Sequence, residues 1–210
     1  MVDMNMKGTE IDAGSKRQIL VDTALKLFAQ YGYHGTGIDL ILKESGVAKK
    51  TMYKYFPSKE DLIVEVLRQY GQRFKRALEC RPGPKAAGPR QCLLAIFDAA
   101  VQWFEEDGYH GCMYINAMGE YAEGSSEIRR VCQEFKDELR DYIANLCTSA
   151  GVSKPRLVAN QISLLLEGAI VTAQVSRKPD AAETAKRIAD LIIKNASSTG
   201  SSSGSAVHRR

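Results

Sequence analysis

Basic and hydroxyl-bearing side chains are concentrated in residues 46–62, which read GVAKKTMYKYFPSKEDL. The stretch holds four lysines, two tyrosines, a threonine and a serine, and no acid lies between Val47 and Ser58. Ammonium and hydroxyl groups bind phosphate oxygens and the edges of bases. The stretch therefore predicts contact with a polyanion, and the alternative is an ordinary solvated basic surface.

The distribution of charge favours the first of these two interpretations. Residues 15–60 contain eight Lys/Arg and four Asp/Glu, whereas residues 61–196 contain eighteen of each, so the net charge of +4 is concentrated in one block. A compact basic block is the electrostatic footprint of a nucleic-acid-binding module.

The remaining reactive residues indicate neither a metal site nor a cofactor. The five cysteines are odd in number, include no Cys-x-x-Cys pair and lie apart from the three histidines, so we expect reduced, mostly buried thiols: Cys80, Cys92, Cys112, Cys132 and Cys147. An enzyme is the alternative, and it rests only on His110 and Cys112, because no phosphate-binding loop or nucleophile motif is present. We therefore predict a protein that is not an enzyme.

Helical periodicity predicts how these residues are positioned. Apolar residues recur at helical spacing along the chain, with no convincing strand pattern, which predicts an all-α fold. Ser15, Thr36 and Ser58 are candidate N-caps, and Gly32 and Gly46 are candidate stops. The predicted helices cover about 15–31, 36–45, 48–55, 58–78, 90–106, 111–122, 126–149, 155–176 and 180–195.

The second and third of these helices are short and flank a glycine-containing turn, and they follow a longer first helix. This order predicts a helix-turn-helix, in which the second short helix enters the DNA major groove. Val47, Met52 and Phe56 are expected to face inward. The outward positions of the second short helix are Ala48, Lys49, Lys50, Thr51, Tyr53, Lys54 and Tyr55.

The chain divides into segments of different composition. We expect a flexible N-terminus (1–14), a helix-turn-helix domain (15–60), a helical core (61–196) and a disordered Ser/Gly-rich tail (197–210). The proline- and glycine-rich stretch 80–90 is a predicted boundary between domains. With no secretory signal and no apolar run near the roughly 18 residues of a membrane span, we expect a cytoplasmic protein.

Residues 16–67 resemble the DNA-binding domain of the TetR family of bacterial transcription regulators. The matching features are ALKLFAQYGY, then GVAKKTMYKYF, then PSKEDL, all at the family's offsets. One departure is Leu40, where a polar residue is usual. The resemblance implies a homodimer of about nine helices per subunit. A long fourth helix links the DNA-binding part to a ligand-binding and dimerisation core, and the last two helices of each subunit form a four-helix bundle.

The resemblance also implies roles for individual residues. Thr36 resembles a cap that contacts phosphate, and the other phosphate contacts are Tyr53, Tyr55 and Lys59. The groove-facing residues are Lys49, Lys50, Thr51 and Lys54. The family's usual output is repression, with release from a palindromic operator by a small-molecule effector. No residue of this chain identifies the effector.

The effector site is expected in the core helices, between about 90 and 175. A mainly apolar cavity with a few polar groups is what a small-molecule site needs. Candidate lining residues are Trp103, Phe104, Cys112, Tyr114, Asn116, Glu120, Tyr121, Glu167 and Gln174. The alternative is that these aromatic and polar groups satisfy one another within the core.

Two further hypotheses concern the core. Apolar residues surround most sides of the segment 155–176, so a partner subunit is expected to cover the part that its own chain leaves bare. Oxidation could replace a ligand as the signal, and Cys80, beside Arg81, is the best candidate for a reactive thiol.

Overall fold

The structure, a computed structural model, describes residues 16–78, 88–106, 108–122 and 126–198. These ranges contain nine α-helices and no strand, which confirms the predicted all-α fold. The helices are α1 (Lys16–Tyr31), α2 (Ile38–Ser45), α3 (Lys49–Tyr55), α4 (Lys59–Leu78), α5 (Pro89–Phe104), α6 (Met113–Glu120), α7 (Glu127–Ser149), α8 (Pro155–Ser176) and α9 (Asp180–Ser198).

Several helix ends follow local signals in the sequence. Gly32 and Gly46 end α1 and α2 with φ values of 77° and 67°, in the left-handed region that glycine adopts without a steric penalty. At the start of α4, the Ser58 hydroxyl accepts the Asp61 N–H at 3.1 Å, and the Asp61 carboxylate accepts the Ser58 N–H at 3.0 Å. This reciprocal pair is a capping box, which confirms Ser58 as the cap.

Thr36 differs from its predicted role. The N-cap of α2 is Gly37, and it makes no side-chain capping bond. Thr36 is fully buried, and its hydroxyl donates to the carbonyls of Gly32 (2.7 Å) and Leu27 (3.2 Å). The predictions that the Thr36 side chain caps α2 and contacts phosphate are therefore wrong in this conformation, because the hydroxyl is already bonded inside the fold.

The described residues form two compact units. The first unit contains residues up to 77 together with 106–136, and the second contains residues 78–105 and those from 137 onward. The division falls within α7, whose residues 127–136 belong to the first unit.

The first unit is built on the buried stripe of α1. Its buried residues recur every three or four positions, as one face of a helix requires: Leu20, Val21, Ala24, Leu25 and Phe28. On the facing helices, Ile41 of α2, Met52 of α3 and Leu62, Ile63, Val66 and Leu67 of α4 are all inaccessible to solvent. This core positions α2 and α3 on α1 and α4.

The second unit packs α5, α8 and α9 through small residues. Ala159, Ala169 and Ala173 of α8 and Ala182, Ala185 and Ala189 of α9 are all buried. Ion pairs join the same helices at their edges, with Arg90 to Asp190 at 2.5 Å and Lys186 to Asp98. Large apolar side chains nevertheless remain exposed on α8 and α9, namely Leu157, Leu164, Val171, Val175, Ile188 and Leu191.

The cysteines follow the prediction only in part. Cys112, Cys132 and Cys147 are buried free thiols, as expected, but Cys92 is disulfide-bonded. The expectation that the thiols are all reduced is therefore wrong at Cys92. An odd number of cysteines does not exclude one disulfide.

Several predictions lie outside the described residues. They are the flexible N-terminus, the Ser15 cap, nearly all of the boundary at 80–90 with Cys80, and the tail beyond residue 198. The expectation that no segment could span a membrane is corrected by α8, which is long and apolar enough to cross one by length and composition. The core helix of a globular protein has the same length and composition.

Candidate nucleic-acid interface

The α3 helix has an apolar face that anchors it and a polar face that is open. Val47, Met52 and Phe56 are 6%, 0% and 3% exposed, so the predicted inward positions are confirmed. Tyr53 and Tyr55 keep 42% and 39% of their surface. The lysines of this helix, Lys49, Lys50 and Lys54, are exposed beside them, and Thr51 is half-buried.

An ion pair links the open face of α3 to α2. The Lys49 ammonium lies 3.6 Å from the carboxylate of Asp39, and these side chains are 64% and 90% exposed. An exposed pair of this kind contributes little to stability. Lys49 therefore remains available to exchange the carboxylate for a nucleic-acid oxygen. Lys50 and Lys54 form no ion pair with any described residue.

The start of α4 adds a further cation beside two acids. Lys59 is the first residue of α4 and is half-buried, and Glu60 and Asp61 follow in the same turn. The capping box already uses the Asp61 N–H. A phosphate at this end would therefore gain more from the Lys59 ammonium than from the helix terminus itself.

A polar seam between α1 and α4 supports this surface. The Arg17 guanidinium bonds Glu65 at 3.0 Å and lies 5.2 Å from the centre of the Phe56 ring. Gln18 bonds Gln69 at 2.8 Å. Burial raises the pKa of the Glu65 carboxyl, but hydrogen bonds from Arg17 and Gln69 outweigh it and hold that pKa below its usual value. Glu65 is therefore charged at neutral pH and holds α1 against α4.

The effector candidates are divided between the two units. Cys112, Tyr114, Asn116, Glu120 and Tyr121 belong to the first unit, and Trp103, Phe104, Glu167 and Gln174 to the second. The Trp103 and Phe104 rings are 8% exposed and lie 5.7 Å apart. Asn116 donates to the His110 carbonyl at 3.2 Å, and Glu167 and Gln174 are half-buried on α8.

Glu120 lies against the turn that leads into α2. Its carboxylate accepts the backbone N–H groups of Tyr33 (2.8 Å) and His34 (2.5 Å), and the His34 ring nitrogen Nδ1 lies 3.0 Å away. The Tyr121 ring stacks on the His34 ring with centroids 4.8 Å apart. We call these four residues the Glu120 clamp. A Cβ at Gly32 would come within 3.0 Å of the same carboxylate.

A second contact joins the α1–α2 turn to the first residue of α6. The Tyr33 hydroxyl donates to the Met113 carbonyl at 2.9 Å, while the Tyr33 backbone N–H is held by Glu120. One residue of the α1–α2 turn is thus bonded to both ends of α6. The sequence signal for this arrangement is slight, because nothing in local spacing pairs residue 33 with residue 120.

Tyr114 lies within the aromatic core of the first unit. Its ring is stacked on Phe135 with centroids 4.0 Å apart, and its hydroxyl donates to the Leu67 carbonyl in α4 at 2.7 Å. A Cβ at Gly71 would lie 2.3 Å from that hydroxyl and 3.0 Å from the Phe135 ring. Only glycine at this position lets α6 and α7 approach α4 so closely.

Two family models match the chain. "Bacterial regulatory proteins, tetR family" covers residues 20–66, which contain α2 and α3 and most of α1. "Transcriptional regulator LmrA/YxaF-like, C-terminal domain" covers residues 89–193. Together the matched segments include the open basic face of α3 and the exposed apolar face of α8 and α9.

Full-length relatives agree with these matches. The HTH-type transcriptional regulator YjdC of Escherichia coli is 27% identical over 182 residues, covering 85% of this chain and 94% of that protein. YxaF of Bacillus subtilis is 27% identical over 158 residues, covering 75% and 82%. The crystal structure of SCO4454, a TetR-family regulator from Streptomyces coelicolor, superposes with a TM-score of 0.80 at 23% identity, covering 87% of this chain and 96% of that one. The chain belongs to the TetR family of DNA-binding transcription regulators.

Proposed function

We propose that this regulator is a cytoplasmic homodimer that represses transcription from an inverted-repeat operator and is released by a small-molecule effector. The observation that supports DNA binding is that α3 has one buried apolar face and one exposed basic face. Its apolar face is anchored by Met52 and Phe56, and its lysines and tyrosines are open to a partner. An exposed helix of this kind fits the major groove.

We propose that some side chains of this surface contact bases and that others contact phosphates. Lys49 and Lys54 are proposed to reach base edges, where lysine favours the O6 and N7 acceptors of guanine. Lys50 and Thr51 share the groove-facing surface. Tyr53, Tyr55 and Lys59 are proposed to bind phosphates, which position the protein but carry no sequence information.

The experiment is selection of bound sites from random duplexes, followed by affinity measured against salt concentration. The expected site is an inverted repeat whose half-sites lie about one helical turn, or a multiple of it, apart. Lys59→Ala should weaken selected and scrambled duplexes alike and lower the salt slope by about one. Lys49→Ala and Lys54→Ala should cost roughly 1–3 kcal/mol on the selected site only.

The control is Lys178→Ala, which removes the same charge from an exposed position in the second unit. It should leave the affinity for both duplexes nearly unchanged. If the Lys49, Lys54 and Lys59 variants lost both duplexes in parallel, these lysines would be only a basic surface. Selection of an asymmetric site would contradict the dimeric operator.

Dimerisation through α8 and α9 is supported by the exposed apolar side chains of these helices. Leu164 is 73% exposed and Val175 is 82% exposed. Leu157, Leu164 and Val171 follow one another at intervals of seven residues, so they share one face of α8. A contiguous apolar face of this kind marks an association surface.

Coupling between effector and DNA is proposed to use the Glu120 clamp as well as α4. Both α6 and the α1–α2 turn lie in the first unit, and three polar contacts to one carboxylate join them. An effector that displaces α6 would therefore pull on the turn that precedes the DNA-reading helices. By linkage, DNA must weaken such an effector by the same factor as the effector weakens DNA.

Oxidation is a second candidate signal, because Cys92 is disulfide-bonded. Two of the free thiols are poor sensors, since burial raises the pKa of Cys132 and Cys147 to about 11 and keeps both protonated at neutral pH. DNA affinity should then differ between the dithiothreitol-reduced and the diamide-reoxidised parent protein, but not between these two treatments of a Cys92→Ser variant, with Cys147→Ser as the control. Equal affinities of the reduced and the reoxidised parent protein would dismiss this signal.

A further inference from the structure

An exposed acid of α2 lies beside the first residue of α3. Asp39 stands in the first turn of α2, and its side chain is 90% exposed. Ile41, two positions further along α2, is inaccessible to solvent and lies in the core of the first unit. Because residues two apart on a helix face different sides, Asp39 is directed away from that core.

An acid at this place is unfavourable for a surface that binds DNA. A carboxylate repels phosphates that lie within the Debye length, which is about 8 Å at physiological salt. Residues 48–57, which contain the whole of α3, include no acid. Asp39 nevertheless brings a negative charge to the start of α3, because its carboxylate lies 3.6 Å from the Lys49 ammonium. A hydrogen-bond donor on the DNA would compensate this repulsion.

The groups that a G·C pair presents in the major groove match this ion pair. Lysine donates to the O6 and N7 acceptors of guanine, and aspartate accepts from the N4 amino group of cytosine. Within the base pair N4 donates to O6, so these two atoms lie about 2.9 Å apart. The Lys49 ammonium and the Asp39 carboxylate are separated by 3.6 Å. A donor and an acceptor at this spacing can therefore face the acceptor and the donor of one base pair.

We propose that Lys49 and Asp39 together read one G·C pair in each half-site of the operator, with Lys49 donating to guanine O6 and Asp39 accepting a hydrogen bond from cytosine N4. The proposal rests on the DNA-reading role proposed above for α3 and adds a specificity-determining residue on α2. It also gives the exposed ion pair a function, since such a pair contributes little to stability.

The pair would read the orientation of the base pair as well as its composition. Reversal to C·G exchanges the two central groups, so Lys49 would face the N4 amino group and Asp39 would face O6. Both contacts would then be repulsive, and repulsion of the wrong partner is an effective source of specificity. A T·A pair keeps a central acceptor and amino group but has a methyl group in place of guanine N7, so it should bind with intermediate affinity.

The experiment measures how much reversal of each G·C pair weakens binding. Sites are selected from random duplexes with the parent protein, and each G·C pair of one half-site is then reversed in turn. We expect one position at which reversal weakens the parent at least roughly tenfold. In Asp39→Ala this penalty should be at least about threefold smaller, because only the Lys49 contact remains. Asp39→Ala should also bind a scrambled duplex more tightly, since a charge that repels phosphate is gone.

A second background separates a base contact from an effect exerted through Lys49. In Lys49→Ala the Asp39 carboxylate has no ammonium to orient, but it can still bond the cytosine amino group. Asp39→Ala should therefore reduce the reversal penalty in this background as well. If the penalty in Lys49→Ala were unchanged by Asp39→Ala, the acid would act only by orienting Lys49, and the base contact would be refuted.

The matched control is Glu44→Ala, which removes an exposed acid from the other end of α2. It should keep the reversal penalties of the parent. An acid in the first turn also favours the helix dipole, so thermal unfolding of each variant confirms that it is folded. Tighter binding of every duplex by Asp39→Ala, with unchanged reversal penalties, would show that the acid only repels phosphate and would overturn the proposal.

Failure of this inference can be distinguished from failure of the proposed function. A parent protein that selects no preferred sequence would refute the DNA-reading role of α3, and the Asp39 contact with it. A parent that selects an inverted repeat, together with an Asp39→Ala variant that selects the same repeat with the same penalties, would support the regulator and refute only the contribution of Asp39.

Discussion

The two compact units differ in what joins their helices. In the first unit, directional hydrogen bonds reach across from one element to another, such as Tyr114 to the Leu67 carbonyl and Glu120 to the α1–α2 turn. In the second, buried alanines of α8 and α9 pack closely, and an apolar face is left exposed. Hydrogen bonds are directional, so they specify one arrangement of the helices and weaken when the helices shift. Apolar contact is non-directional, so an exposed apolar face can pack against another subunit.

The largest expected effect is at the exposed face of the second unit. Leu164→Glu should give monomers, because two carboxylates would be buried without partners in the proposed interface, at a cost of several kcal/mol. Operator affinity should fall by roughly 100-fold or more, since each 1.4 kcal/mol is a factor of ten. Light scattering and DNA affinity measure the two consequences.

The control for that change is Asn145→Glu, an exposed position of α7 in the same unit. It adds the same charge and should remain dimeric. A dimeric Leu164→Glu variant with normal operator affinity would show that the interface lies elsewhere. The exposed apolar face of the second unit would then not be an association surface.

Gly71→Ala tests the close packing of the first unit. The added methyl group would meet the Tyr114 hydroxyl, so α4 and α6 must separate, which typically costs about 1–3 kcal/mol. Gly119→Ala is the matched control in the same unit, because a Cβ there meets nothing within 4 Å. It should stabilise by up to about 1 kcal/mol through helix propensity. Chemical denaturation compares the two, and equal stabilities would show that the packing tolerates the methyl group.

Glu120→Gln tests the clamp and should have a smaller effect on stability. Replacing charge-assisted hydrogen bonds by neutral ones should cost about 1 kcal/mol. DNA binding should persist while release by an effector becomes less complete. Glu105→Gln, at an exposed position of the second unit, should change neither property. Normal release from Glu120→Gln would mean that the signal travels through α4 alone.

The smallest expected effect is acid sensitivity of the α1–α4 seam. The pKa of Glu65 is lowered in the folded chain, so its contribution to stability is present above the unfolded value near 4.5 and is lost as the pH falls through the folded value. Glu65→Gln should therefore flatten the dependence of unfolding free energy on pH below about 4.5. An unchanged profile would show that other carboxylates dominate there.

Local signals were sufficient for much of this protein. The helices, the capping box at Ser58, the glycine stops and the inward face of α3 could all be read from neighbouring residues, because each depends on contacts within a few positions. The basic block of residues 15–60 likewise indicated nucleic acid without any structure. The DNA-binding class of the protein was therefore determined by the sequence alone.

Errors arose where a residue's role depends on distant partners. Thr36 was predicted as a cap because it precedes α2, but the folded chain turns its hydroxyl inward onto the Gly32 carbonyl. Glu120 as an effector contact stays a prediction, but the sequence did not show that its carboxylate bonds a turn 86 residues away. The sequence shows that a residue carries a carboxylate, but it does not show which N–H groups that carboxylate accepts. The hydrogen bonds are known only when the two elements that they join have been placed relative to each other.

The sequence by itself determined an all-α regulator with a helix-turn-helix and a block of basic residues, since helical periodicity and charge are properties of short segments. Only the tertiary structure decided which polar groups are already used and which remain open. It bonded the hydroxyl of Tyr114 and left that of Tyr70 without a bond to any described residue, although both are tyrosines on helices of the first unit. The reason is physical, because hydrogen bonds and enclosed space depend on the distances between elements, and these distances exist only after the helices have packed.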